Sequence, residues 1–97
     1  MKYDQIEEAI NRIVRMEQCF DVLQMAAEKN LEQIKQDEWL RAQLEMLIQY
    51  YEGEQWMEDY KLDEKGLLPK DLKRGILSED TLYNLLAEID KKLKENA

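Results

Sequence analysis

Histidine is absent from this chain, and cysteine, proline, serine and threonine each occur once. Without histidine the commonest general base and the commonest neutral metal ligand are both missing. Ser78, the sole serine, precedes two acids and suits the cap of a helix; a serine nucleophile would need an adjacent base that nothing obvious supplies. Cys19 has no partner for an internal disulfide, which fits a reducing compartment. It stands beside Phe20 within an apolar stripe, where an inert core thiol is expected. The three glycines, Gly53, Gly66 and Gly75, are isolated and build no phosphate-cradling loop. So little turn chemistry also argues against a sheet. No window holds the roughly 18 uncharged apolar residues of a membrane span, and the acidic start after Met1 predicts no signal peptide. The expected location is the cytoplasm.

Bases are outnumbered, with 14 Lys and Arg against 22 Asp and Glu for a net charge of −8. Phosphate recognition works by charge neutralisation, so neither nucleic acid nor an anionic membrane surface is an expected partner. An acidic protein can also imitate nucleic acid, but here bases interleave with acids nearly everywhere, as on a solubilising surface. With 44% apolar and 37% charged residues the 97-residue chain reads as one globular domain.

What is abundant is Leu, Glu, Lys, Gln, Ala and Met, the residues that lose least on entering a helix, and the expected fold is all-α. Apolar residues at Ile6, Ile10, Ile13, Met16, Phe20, Leu23, Ala27, Leu31 and Ile34 draw one stripe of period 3.6. They predict a long helix over 4–35, started by Asp4 and weakest at Asn30. Glu17 and Gln24 interrupt the heptad, which excludes a simple two-stranded zipper. Asp37 is the expected N-cap of a second helix over 38–52, with Leu40, Leu44, Leu47, Ile48 and Tyr51 inward and Gly53 left-handed at its end. The first two helices should form an antiparallel hairpin. Residues 54–78 should hold two helical turns over 54–60, a turn at Asp63-Glu64-Lys65-Gly66 and a short helix from Pro69 to Arg74 stopped by Gly75. A C-terminal helix over 79–94, capped by Ser78, should return along the hairpin on Leu82, Leu85, Leu86, Ile89 and Leu93.

No residue stands out as catalytic or cofactor-binding. Asp59, Asp63 and Glu64 cluster near a turn, but Lys61 and a misplaced glycine break any calcium-loop pattern, so no metal is expected. Tyr50, Tyr51, Trp56 and Tyr60 gather within eleven residues; core packing is the plain account, and Tyr51, Trp56 and Tyr60 are the candidate anchors for a protein partner. Lys70, Lys73 and Arg74 form a compact basic group that either pairs with Asp59, Asp63, Glu79 or Asp80 or meets a partner. Arg74, beside Gly75, is placed to bridge several carboxylates at a buried junction. The first helix outruns the second, which predicts exposure of Ile6, Ile10 and Ile13 and a homodimer packed on them.

Tyr50-Tyr51, Trp56, Asp59-Tyr60, Asp63-Glu64, Gly66, Leu68-Pro69, Asp71 through Gly75, Leu77 through Asp80, Tyr83 and Leu85-Leu86 follow one another at a characteristic spacing. Over residues 50–86 the chain resembles a family of short bacterial proteins called domain of unknown function 4298. Leu67, where that family carries a polar residue, and Asn84, where it carries an acid, depart from the pattern, and the first half matches only as generic helix. The resemblance implies a bacterial, Gram-positive-like, cytoplasmic origin and brings no activity, ligand or catalytic residue. The function expected is therefore non-enzymatic protein interaction, by an adaptor or regulator, and the alternative is an acidic inhibitor or immunity-type protein that blocks a basic partner.

Overall fold

The computed structural model describes residues 3–95, the side chains of Tyr3, Leu31 and Glu95 excepted. In chain order come α1 (Tyr3–Lys29), α2 (Leu31–Gln36), α3 (Glu38–Glu52), α4 (Glu54–Glu64), a 3-10 turn (Gly75–Leu77) and α5 (Glu79–Glu95). The fold is all-α, and the described residues contain no strand.

The predicted 4–35 helix is two helices. Asn30 takes an extended backbone (φ −163°, ψ 100°), and its side chain accepts a hydrogen bond from the Glu32 N–H. The short amide side chain offers the backbone a capping bond in place of the next helical one, and α1 ends there. Asp4 lies inside the first turn of α1 rather than ahead of it. Asp37 caps α3 by accepting from the N–H groups of Trp39 and Leu40.

At about 1.5 Å per residue α1 spans roughly 40 Å, close to the 45 Å long axis of the molecule. What covers it is a relay. Cys19 meets Gln43 of α3, and Arg12 and Tyr50 meet at Asp59, so α3 runs antiparallel to α1. Beyond Gly53, α4 continues in the same sense towards the N-terminus of α1, where Leu62 lines a groove with Gln5 and Glu8. α5 lies parallel to the other half of α1, with Thr81 to Glu88 beside Phe20 to Glu28. One core results, from Ala9 and Ile13 at one end to Ile34, Leu82 and Ile89 at the other.

The connection after α4 departs from expectation in two places. α4 has three turns rather than two and closes in a Schellman motif: Gly66 N–H donates to the Asp63 carbonyl and Leu67 N–H to the Leu62 carbonyl. Gly66 there is left-handed (φ +71°), as its place in the turn predicts. Gly53, by contrast, is extended (φ −85°, ψ −174°) and serves as a plain joint. The helix expected from Pro69 to Arg74 is a single turn, closed by the Leu72 N–H on the Pro69 carbonyl, and Gly75 opens the 3-10 turn instead of stopping a helix.

Candidate interaction face

The polar residues picked out by sequence mostly fasten this connection. Asp59 is fully buried between α1 and α3; it accepts from Arg12 Nε at 3.0 Å, from a second Arg12 nitrogen, and from the Tyr50 hydroxyl at 2.7 Å. That hydrogen bond to Asp59 raises the Arg12 pKa, and burial followed by the same carboxylate drives the Tyr50 hydroxyl far above its ordinary range. Trp56, 5% exposed, donates its indole N–H to the Ile76 carbonyl at 2.8 Å. Its ring stacks on Tyr60 and meets Tyr51 edge-on, both at 5.4 Å between centroids. Trp56 is therefore core, while Tyr51 and Tyr60 are half-buried against it. Burial is the first cause that raises the Tyr51 pKa.

Glu17, the residue that spoiled the heptad, proves to be a second fastener. It is 4% exposed, and its Oε1 accepts from the Ile76 N–H at 2.7 Å. Lys73 holds Asp21 at 2.6 Å and lies 3.8 Å from Glu17, and the hydrogen bond to Asp21 raises its pKa. Arg74 pairs with one carboxylate, Asp63, and donates to the carbonyls of Leu72 and Pro69, so it bridges carbonyls rather than several acids. Lys70 is exposed. Ser78 has extended backbone, its carbonyl accepts the Leu82 N–H, and the Thr81 hydroxyl donates to its Oγ.

Ile13 is completely buried, and Ile6 and Ile10 are half-buried, because α4 covers that end of α1. The expected dimer face is thus interior at Ile13. Cys19 is a buried thiol that donates to Gln43 Oε1 at 3.1 Å, and burial pushes its pKa up. Among the described residues no group of three or more His, Cys, Asp or Glu could hold a metal ion, and no helix is long and apolar enough to cross a membrane.

The surface that sequence reasoning missed lies where α1 and α3 run side by side. Trp39 is 57% exposed at the start of α3, and Met25 is 56% exposed on α1. A groove beside Trp39 is lined by Arg15, Gln18, Cys19, Val22, Gln43 and Met46, and it continues towards Asn11, Arg12, Met16 and Gln55. None of these lining residues is acidic, although 22 of the 97 residues are. Trp39 could have been found from its spacing. It falls off the Leu40, Leu44, Leu47 and Tyr51 stripe, so a helix that buries the stripe must turn Trp39 outward.

A family described as Domain of unknown function (DUF4298) matches residues 13–96. The chain belongs to this family. No curated protein and no solved structure matches it. The DUF4298 match takes in α1 from Ile13 onward, beyond the segment from Tyr50 to Leu86 that carried the resemblance. The α1 residues it takes in include Glu17 and Asp21, which hold the connection between α4 and α5 in place.

Proposed function

We propose that this DUF4298 protein is a small non-enzymatic interaction module, an adaptor or regulator of the cytoplasm, that docks a protein through the face around Trp39. The observation that carries the reading is the composition of that face. It brings together Trp39, Met46 and Arg15, residue types favoured at interfaces, and holds no acid, on a chain that is otherwise strongly acidic. Its largest side chain is more than half exposed although the same chain buries Trp56. Trp39 is not isolated there: Val22 and Met46 line the same groove, and a contiguous apolar surface is what marks an interaction site. Among the polar residues that chemistry would recruit, Asp59 and Arg74 are occupied in holding the fold together, and Glu17 holds the Ile76 N–H through one of its two oxygens.

The blocking of a basic partner has an observation of its own. Glu38, Glu45 and Glu52 stand seven residues apart along α3, beside a groove with Leu44, Ile48 and Leu93, where Arg41 is the lone base. Affinity purification of the tagged chain from its host tests both. Proteins retained by the native chain and lost with Trp39→Glu, at low and high salt alike, support docking on the Trp39 face. Proteins shed by salt and lost with Glu45→Lys would transfer the function to the acidic groove. A capture pattern that neither substitution alters would sink the Trp39 reading.

A further inference from the structure

The face around Trp39 also carries signs of what covers it. We infer that a second copy of this chain packs on it, forming a two-fold helical dimer; the inference rests on the docking role proposed for that face and names its occupant.

Charge restricts where two such chains can meet. Each copy carries −8, so close approach through most of the surface sets acids against acids. The α1–α3 groove is where eleven neighbouring lining residues include no Asp or Glu. A basic foreign partner would be drawn to the acidic surfaces instead.

Chemistry then favours a like partner. A two-fold interface sets each residue near the axis against its own copy, so the side chains that serve there must complement themselves. Apolar Val22, Trp39 and Met46 do so by burial. The amides of Gln18 and Gln43 do so because each donates and accepts, whereas a charged residue would face its like. Arg12 and Arg15 are the charged residues of the groove; Arg12 is paired with Asp59, and the long side chain of Arg15 can carry its charge to the rim. The groove lies between two antiparallel helices, the setting in which a second helix pair completes a four-helix layer. The dimer expected from the sequence is thereby moved from Ile6, Ile10 and Ile13, where α4 supplies the cover, to another face of the hairpin, the acid-free groove between α1 and α3.

Light scattering after size exclusion, at micromolar concentration, reads the outcome. The native chain should show twice the 11.7 kDa chain mass, and Trp39→Glu should halve it. Tyr83→Glu is the matched control, because Tyr83 on α5 is equally exposed at 57% and the change adds the same charge. It should leave the double mass intact. Circular dichroism of both variants should match the native spectrum, since both residues lie at the surface. A native chain of single mass overturns the inference while leaving a foreign partner for the Trp39 face open to the affinity test. A double mass that survives Trp39→Glu, with native helicity, overturns it as well.

Discussion

Replacing Asp59 by alanine tests whether the most tightly held polar residue of the motif serves the fold or a function. The native carboxylate accepts from two Arg12 nitrogens and from the Tyr50 hydroxyl, with no exposure of its own. Alanine leaves a guanidinium and a hydroxyl in the interior without their acceptor. Removing one member of a buried ion pair costs about 3–5 kcal/mol. Arg12 keeps 19% of its side chain in solvent and can turn outward, which places the loss near the low end, about 3 kcal/mol. The stranded Tyr50 hydroxyl adds about 1 kcal/mol or more, because Tyr50 itself is only 3% exposed and cannot follow. Against a domain stability of about 5–15 kcal/mol this is a large fraction. For a chain of this size it lowers Tm by roughly 16 °C or more. Urea denaturation followed by circular dichroism measures it. The triple change Arg12→Met, Tyr50→Phe, Asp59→Leu should recover much of the loss, since an apolar trio strands no polar group. A cost for Asp59→Ala below about 1 kcal/mol, or a triple variant no more stable than the single one, would refute the reasoning and free Asp59 for a binding role.

Two further outcomes follow from the same interior. The Tyr50 pKa is raised in the fold, first by burial and then by Asp59, so folding holds a proton that the unfolded chain releases near pH 10. Its contribution is complete below that pH and should fall by about 1.4 kcal/mol per pH unit above it; Tyr50→Phe should flatten the urea midpoint over that range, and an unchanged slope would contradict the assignment. Trp56→Ala should cost about 3–5 kcal/mol, and Trp56→Phe about 1–3 kcal/mol because the buried Ile76 carbonyl loses its donor. Chemical denaturation reads both, and near-neutral values would place the ring at the surface.

Local chemistry determined the helices, because each depends on spacing and on residues next to its own ends. The 3.6 period placed α1, α3 and α5, Asp37 capped α3 through its own neighbours, and Gly66 took the left-handed place its turn requires. The break at Asn30 was visible as a weak point, but a single amide can sit within a helix or cap the next, and only the fold shows Asn30 capping α2 with Ile34 buried beyond it. The tertiary structure alone decided what covers each half of α1. Burial of Ile13 depends on where α4 comes to lie, and that is fixed by partners distant in sequence: Arg12 with Asp59, Glu17 with Ile76, Trp56 with Ile76. Glu17 shows the difference most clearly. In the sequence it is an acid that spoils a heptad. In the fold it is a buried acceptor for a backbone N–H 59 residues away, a pairing that no spacing rule contains.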